Sequence, residues 1–334
     1  MHGWIIIDKP LGPGSTQIVS AVKRALRLGG YGKYKVGHGG TLDPLASGVL
    51  PVAVGEATKL SGRMLDADKA YDFTISFGIE TDTLDAEGKA VATSDVRPTL
   101  SQIEAVLARF TGAIEQVPPA YSALKIDGER AYDRARAGEV FEIKKRAVTV
   151  HRLVIQPPSS QRRLGSHAAG TDSESRNTTE IPAFVAMMTD GGGRLDRVTL
   201  SAAVSKGTYI RSLARDIAHA LGTVGHVSML RRTKAGPFTL GAAISLDNLE
   251  ELAKARRLET ALLPLTAGLD DIPALSVTPE QARALREGRR LIGIAAPTGL
   301  NLAIDGDMPV ALVEADGHQA WVVRGFNLMS KEDI

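Results

Sequence analysis

The order of strand-like and helix-like segments is the feature that most limits what this chain can fold into. Near the N-terminus GWIIID, residues 3–8, is typical of a buried strand, and an amphipathic helix that we expect Ser15 to cap follows it. Strand patterns then come at VLPVAVG (49–55) and YDFTISFGI (71–79), before a helix predicted to be capped at Ser101. Strands and helices that do not alternate regularly predict an α+β fold.

The chain of 334 residues is long enough for two domains. We predict a large domain at residues 1–265 and a small β domain at 272–328, where short apolar runs are separated by Asp-Gly turns. Residues 157–193 lie between two strand patterns and are rich in Ser, Thr, Gly and charge. This composition predicts a disordered surface insertion, from which we expect no chemistry.

Composition excludes several kinds of chemistry. The absence of cysteine rules out disulfides, thiolate catalysis and cysteine-rich zinc sites. The seven histidines show no HExxH spacing, so we expect no metal, and neither a P-loop nor a GxGxxG motif is present. Because no window approaches the roughly 18 apolar residues of a membrane span and no signal-like N-terminus is visible, we expect a cytoplasmic protein.

Charge is segregated along the chain, although the net charge is only +2. No acidic residue lies within 9–42, 197–215 or 217–246, whereas acidic residues concentrate at 80–87 and 247–251. One basic face would suit a partner with a phosphate backbone. A single basic run is more often a solvated surface, so the pattern alone leaves both interpretations open.

The stretch GHGGTLDPL places one carboxylate, Asp43, between three glycines and a proline. Asp followed by Pro is the pattern of a helix N-cap. However, Gly48 and the Leu50-Pro51 pair leave room for only a very short helix, and the glycines favour a close approach of another backbone. Asp43 is therefore either a cap or a carboxylate held out for catalysis. Without a metal, thiol or cofactor, one carboxylate on a basic surface suits cleavage at a sugar carbon of a nucleic acid.

Other candidate residues are also ambiguous when taken one at a time. Arg211 lies in the first turn of a predicted helix, where the macrodipole disfavours a cation unless a carboxylate pairs with it; an exposed arginine is the commoner case. Tyr71 and Tyr209 are either core residues or rings that stack on unpaired bases. His38 could contact RNA or cap a turn.

Six separated motifs occur together in this chain. They are, in chain order, IIIDKPLGPGS, GHGGTLDPLASGVLPVAVGEATK, KAYDFTISFGIETDTLDAEG, QVPPAYSALKIDGERAY, SKGTYIRSLARDIA and HVSMLRRT. In identity and order they resemble the TruB family of tRNA pseudouridine synthases, over residues 3–232. The C-terminal β domain is similar to the PUA-type RNA-binding domain of that family.

The resemblance implies a fold and an activity. The fold would be a mixed, largely antiparallel sheet flanked by helices, with a small PUA-like domain after it. The activity would be the isomerisation of uridine 55 in the T-loop of tRNA to pseudouridine by base flipping, without a cofactor. The partner would be tRNA, and we expect a monomer that binds neither membrane nor metal.

The resemblance also implies residue roles. Asp43 would be the essential carboxylate that assists breakage of the glycosidic bond, by attack at C1′ or by removal of the 2′ proton. Arg211 would pair with Asp43, and Tyr71 would stack on the uracil and take part in removing the C5 proton.

Four further positions match the family motifs. His38, Tyr209 and Leu230 would hold the extruded nucleotide and the opened T-loop, since base extrusion costs a few kcal/mol that such contacts offset. Lys9 would brace the loop or serve the fold alone.

Two other functions use the same sequence features. A binding module that folds tRNA as a chaperone would suit the basic segments, with the Asp43 loop as structure. An N-glycosidase would use the same carboxylate but let water capture the sugar and release uracil. The resemblance favours the synthase over both.

Overall fold

The computed structural model describes residues 1–122, 124–126, 128–139, 141–156, 189–190 and 193–328. The chain forms two compact units. The first unit contains Met1–Ala67 and Lys234–Ile334, and the second contains Asp68–Thr233. Residues on both sides of the predicted boundary at 265–272 thus belong to one unit, and the predicted domain division stays a prediction.

The strands follow the chain in this order: β1 (Gly3–Lys9), β2 (Val36–His38), β3 (Ala46–Val54), β4 (Lys69–Phe77), β5 (Ile79–Thr81), β6 (Ala90–Thr93), β7 (Gly112–Gln116), β8 (Lys125–Ile126), β9 (Glu129–Arg130), β10 (Arg146–Ile155), β11 (Thr189–Asp190), β12 (Arg194–Leu195), β13 (Arg197–Val204), β14 (Gly225–Ala235), β15 (Phe238–Thr239), β16 (Leu263–Pro264), β17 (Ala274–Ser276), β18 (Leu291–Ile292), β19 (Gly299–Asp305), β20 (Met308–Ala315) and β21 (Gln319–Gly325).

The α-helices are α1 (Ser15–Leu28), α2 (Ser61–Asp66), α3 (Leu100–Leu107), α4 (Ala131–Arg136), α5 (Ile210–Ala220), α6 (Leu246–Lys254) and α7 (Pro279–Arg286). Short 3-10 helices occupy Gly55–Leu60, Ala108–Phe110, Leu240–Ala242, Leu258–Ala261 and Leu265–Gly268. In the part of the chain that the structure describes, no helix combines the length and the hydropathy of a membrane span.

The first unit is built on the antiparallel pair of β1 and β3. Their register runs from Gly3 opposite Val54 to Lys9 opposite Gly48; β2 also pairs with β3, and β16 pairs with β1. The apolar side chains on both faces of the two strands are buried, and those on the Trp4 side pack against the helical segments that follow β3. The buried strand predicted at GWIIID is confirmed.

The C-terminal part of the first unit has its own sheet, in the order β17-β19-β20-β21-β18. It packs on α7, which has Thr278 as its N-cap and Pro279 as its first residue. Its core contains Leu275, Leu285 and Val313, among other apolar residues. The predicted small β fold at the C-terminus is therefore confirmed.

The second unit is a sheet in the order β14-β4-β13-β10-β7. The neighbouring strands β4, β13, β10 and β7 pair antiparallel, as expected. Helices α3 and α5 contribute to a core with Phe73 and Ile75 of β4, which alternate with the more polar side chains of the strand. Of the predicted insertion at 157–193, residues 157–188, 191 and 192 lie outside the described residues.

Two predicted helix caps are wrong. Gly14, not Ser15, is the N-cap of α1, and its backbone N–H donates to the Gln17 side chain at 2.7 Å. Helix α3 is capped by Thr99 rather than by Ser101, because the Thr99 side chain accepts from Gln102 N. In each case the predicted cap lies one or two residues too late. A serine near a helix start thus fails to identify the cap when other backbone groups compete for its hydroxyl.

The glycines before Asp43 differ in what they do. A Cβ on Gly39 would lie 2.6 Å from Cβ of Met64, whereas one on Gly37 would meet nothing nearer than Ser61 Oγ at 3.9 Å. Gly40 has φ of 125°, which disfavours a side chain. A close approach is therefore found at Gly39, but the neighbour is the Met64 side chain of α2, and the predicted approach of another backbone is wrong there.

We expect Gly39→Ala to lower the free energy of unfolding by about 1–3 kcal/mol, because the new methyl group forces Met64 or the strand to move. Gly37→Ala is the matched control. It should leave stability unchanged or raise it by up to about 1 kcal/mol, since alanine loses less backbone entropy than glycine in a strand. Urea unfolding of both variants measures the difference. Equal stability of the two would contradict the packing argument.

Candidate active site

The Asp43 loop contains no helix. Pro44 and Leu45 form a turn that leads directly into β3, and the backbone carbonyl of Asp43 accepts from Ala46 N at 3.0 Å. Asp43 itself is half-buried. The interpretation of Asp43 as a helix N-cap is therefore wrong. The alternative interpretation, a carboxylate held out on a loop for catalysis, is the one that remains.

Lys9 ends β1 beside this loop, and it is fully buried. Its ammonium group donates to the backbone carbonyls of Pro10 at 2.9 Å, Pro44 at 3.3 Å and Ala46. A buried cation must be compensated, so these carbonyls are held where the ammonium can reach them. The contacts that a bracing role requires are thus present, although the role itself stays a prediction.

His38 lies on the other side of the same glycine-rich stretch. It is the last residue of β2, opposite Val52 of β3, and it is half-buried. Its backbone position is fixed by a regular strand pair, and both alternative roles, contact with RNA and capping of a turn, stay predictions.

Arg211 is buried in the second unit, in the first turn of α5. Its guanidinium pairs with the Asp85 carboxylate, with Nη1 to Oδ2 at 3.0 Å, and donates to the carbonyls of Thr83 at 2.9 Å and Tyr121 at 3.0 Å. Only about 10% of each charged side chain is exposed. The expected carboxylate partner is therefore found, and the alternative of an exposed arginine is wrong.

Asp85 is held by its own loop. Its Oδ1 accepts from the Thr83 hydroxyl at 2.6 Å and from Glu87 N at 3.1 Å. Leu84, the residue before it, has φ of 62°, a left-handed conformation that costs a bulky residue about 1–3 kcal/mol. The strain persists because Leu84 is buried and its carbonyl accepts from Val227 N. The loop therefore fixes the Asp85 carboxylate before any ligand binds.

The aromatic candidates lie on the same unit as Arg211. Tyr71 is a half-buried residue of β4 that packs on the edge of the core, as does Leu230 of β14. Tyr209 is the N-cap residue of α5, and its backbone N–H and carbonyl both bond to the Gln116 side chain. Neither ring is fully buried, so both keep a surface that a base could contact.

Lys9 and two arginines in the basic segments are buried. Lys9, Arg211 and Arg232 are buried, with exposed fractions of 0, 9 and 1%. The exposed basic side chains of the first segment are Lys23, Arg24, Arg27, Lys33 and Lys35. The predicted basic face is thus smaller than the sequence pattern indicates. Within the described residues, no three His, Asp or Glu side chains come together as a metal site.

Comparison with known proteins identifies the family. Residues 26–163 match the TruB family pseudouridylate synthase N-terminal domain, and residues 211–270 match the tRNA pseudouridylate synthase B C-terminal domain. The tRNA pseudouridine synthase B of Zymomonas mobilis is 56% identical, over 98% of this chain and 96% of the relative. The chain belongs to the TruB family. The enzyme class predicted from the motifs, a pseudouridine synthase and hence an isomerase, is thereby confirmed.

Other relatives agree with this TruB assignment. The tRNA pseudouridine synthase B of Novosphingobium aromaticivorans is 58% identical, over 98% of each chain. A chain in the structure of an H/ACA RNP bound to a substrate RNA containing 2′-deoxyuridine has a TM-score of 0.67 at 24% identity, covering 99% of this chain and 86% of that one. This likeness confirms the fold class, including the PUA-like C-terminal β domain.

The predicted site residues of this TruB-family chain are divided between the two units. Lys9, His38 and Asp43 belong to the first unit, and the other four, Tyr71, Tyr209, Arg211 and Leu230, belong to the second. The pairing of Arg211 with Asp43 joins residues of different units and stays a prediction.

Sequence reasoning missed Asp85 as the partner of Arg211 within the second unit. Asp85 lies in the motif GIETDTLDAEG, where four acidic residues within eight positions gave no ground for choosing one. The Thr-x-Asp spacing is the signal that was available, since a hydroxyl two residues before a carboxylate can fix it locally.

We expect Asp85→Asn to lower the free energy of unfolding by up to about 3–5 kcal/mol, because it leaves the Arg211 charge buried without its carboxylate. Chemical denaturation with urea measures the change. Asp196→Asn is the matched control: Asp196 pairs with Arg97 at 2.8 Å, but its side chain is 72% exposed. That variant should lose no more than about 1 kcal/mol. Similar losses in the two variants would contradict the importance of burial.

Proposed function

We propose that this chain isomerises uridine 55 in the T-loop of tRNA to pseudouridine, with Asp43 as the essential carboxylate. Both matching family domains are named as pseudouridylate synthases, and the names of the C-terminal domain and of the relatives specify tRNA. The position within the tRNA and the residue roles are the finer part of the proposal. They rest on the motif GHGGTLDPLASGVLP and on the loop geometry around Asp43.

The reaction conserves every atom of the substrate. The bond between N1 of uracil and C1′ of ribose breaks, the base turns, and a bond forms between C5 and C1′. The proton leaves C5, and N1 ends with a proton. The overall change is an isomerisation, so the chemistry needs neither an oxidant nor a second substrate.

Asp43 would act at the sugar. Its carboxylate either attacks C1′ or removes the 2′ proton, and both routes require the ionised form. The loop geometry supports this role, because the turn after Asp43 is anchored by Lys9 on the Pro44 and Ala46 carbonyls. A carboxylate held before substrate binds does not have to be ordered during the reaction.

Tyr71 and Arg211 would act with Asp43 on the same uridine. Tyr71 would stack on the flipped uracil and take part in removal of the C5 proton. Arg211 would keep Asp43 ionised and oriented, since a guanidinium favours the charged carboxylate. His38, Tyr209 and Leu230 would hold the extruded nucleotide and the opened T-loop, and base extrusion would be compensated by these contacts.

The PUA-like domain, residues 272–328, would contribute further RNA contacts. A monomer is part of the proposal, and so is a cytoplasmic location, since the substrate is tRNA. The alternative function as a tRNA-binding chaperone without catalysis is not favoured, because the relatives that cover nearly the whole chain are named as synthases.

The first test is tritium release from tRNA that carries 5-tritiated uridine. We expect Asp43→Asn to abolish release and to leave tRNA binding intact, because the amide keeps the shape of the side chain and removes its charge. Asp196→Asn is the control. The Asp196 side chain is 72% exposed and pairs with Arg97, and its substitution should release tritium at the rate of the unaltered protein.

Four outcomes would overturn parts of this proposal. If the unaltered protein binds tRNA but releases no tritium, the binding-module alternative replaces the synthase. Free uracil in the products would indicate an N-glycosidase. If a tRNA with cytidine at position 55 still releases tritium, the assignment of the T-loop position is wrong. Full activity of Asp43→Asn would remove Asp43 from the chemistry.

Tyr71→Phe tests the second role. We expect tritium release to slow by about 100-fold or more, which is the size of effect that loss of a proton-transfer group has. Binding of tRNA should remain, because the phenyl ring can still stack on the base. Tyr209→Phe is the control and should keep the rate within about tenfold of the unaltered protein. Full activity of Tyr71→Phe would exclude the hydroxyl from C5 deprotonation.

A further inference from the structure

Ser15 makes two hydrogen bonds to one backbone residue. Its hydroxyl accepts from Leu42 N at 2.8 Å and donates to Leu42 O at 3.0 Å. Ser15 is the first residue of α1 and only 4% exposed. A hydroxyl has one proton to donate, so the bond to the Leu42 carbonyl uses its whole donor capacity. Since Gly14 is the N-cap, this hydroxyl makes no capping bond to α1.

The Leu42 carbonyl belongs to the peptide group that precedes Asp43. The peptide group is planar, so the Leu42 oxygen and the Asp43 nitrogen lie in the same plane. The plane on the other side of Asp43 is also held, because the Asp43 carbonyl accepts from Ala46 N at 3.0 Å. The two planes together define φ and ψ of Asp43 and thus the direction of its Cα–Cβ bond. The proline that follows narrows the allowed values further.

The contacts around the loop act on different sides of Asp43. Lys9 and the backbone N–H of Gly12 both donate to the Pro44 carbonyl, after the carboxylate. Ser15 binds the residue before it. Neither Lys9 nor Gly12 can therefore substitute for Ser15, because a rotation of the Leu42–Asp43 peptide leaves the Pro44 carbonyl in place.

We propose that Ser15 is a positioning residue for the reaction, which fixes the direction of the Asp43 side chain through the Leu42–Asp43 peptide plane. The inference rests on the proposed function of Asp43. It assigns to the serine of the KPLGPGS motif a role distinct from helix capping and from RNA contact. The hydroxyl does not touch the substrate; it acts through the backbone.

The rest of the structure indicates that removal of this hydroxyl would leave the fold intact. The Leu42 side chain is 4% exposed and anchors the loop by burial, whereas α1 is anchored by Ile18, Val22 and Leu26 on its apolar face. The Ser15→Ala change is small in volume. It removes the two hydrogen bonds and leaves these apolar contacts, so the loop should tilt rather than unfold.

The test is single-turnover pseudouridine formation at saturating enzyme, at a temperature at which circular dichroism shows every variant folded. We expect Ser15→Ala to slow the rate constant by on the order of 10- to 100-fold, because small misplacements of a reacting group have effects of this size. The Kd for tRNA should not change. Ser15→Thr keeps the hydroxyl and should restore the rate to within about threefold.

Ser20→Ala is the matched control on the same helix. The Ser20 hydroxyl is exposed and donates to the Thr16 carbonyl at 3.1 Å. The substitution therefore removes a hydrogen bond of α1 and leaves the contacts of the Asp43 loop unchanged. The rate of this variant should equal that of the unaltered protein. A loss common to Ser15→Ala and Ser20→Ala would indicate a general effect of α1 and overturn the proposal.

Asp43→Asn measured in parallel separates the two levels of the argument. If Asp43→Asn is inactive and Ser15→Ala keeps the full rate, the positioning role is wrong and the role of Asp43 survives. If Asp43→Asn is fully active, the role of Asp43 fails, and the positioning role fails with it. Equal loss in Ser15→Thr and Ser15→Ala, or a loss that appears only in the Kd, also overturns the positioning role.

Discussion

The buried ammonium group of Lys9 is the constraint on which the first unit depends. Lys9 ends a strand whose seven residues pair with β3, and no part of it is exposed. Moving a cation out of water is costly unless polar groups surround it. The Pro44 and Ala46 carbonyls supply part of that surrounding. The strand pair therefore places the charge, and the charge fixes the loop that carries Asp43.

The second unit also contains a buried cation that must be compensated, the guanidinium of Arg211. The guanidinium is bonded to the Asp85 carboxylate and to the backbone carbonyls of Thr83 and Tyr121. These contacts join α5 to two loops that are distant in the sequence. In both units a buried cation thus orders irregular backbone, for which helix and strand hydrogen bonds are not available. The requirement for compensation explains how loops with few regular hydrogen bonds can hold side chains in fixed positions.

Periodicity in the sequence predicts the elements of this fold well, because burial of one face leaves a direct trace in the residue pattern. The strands β1, β3 and β4 lie where alternation or apolar runs indicate them. Hydrogen bonds of single side chains leave no such trace. Ser15 looks like a helix cap, yet its partner Leu42 is 27 residues away. Asp85 could not be chosen from its acidic neighbours, since the arginine that selects it is 126 residues further along the chain.

The same distinction applies to charge. In the sequence every Lys and Arg counts equally as a basic residue. In the structure some of them are buried and others are exposed. Lys23, Arg24 and Arg27 on α1 are exposed and keep their hydration, so they can neutralise phosphate groups at long range. Lys9 and Arg211 are bonded to backbone carbonyls instead of water, and Arg211 is also paired with a carboxylate. A buried cation that is bonded to protein groups contributes to the geometry of the loops rather than to attraction of RNA. The exposed group on α1, together with Lys33 and Lys35, is accordingly the part of this basic segment available for phosphate contact.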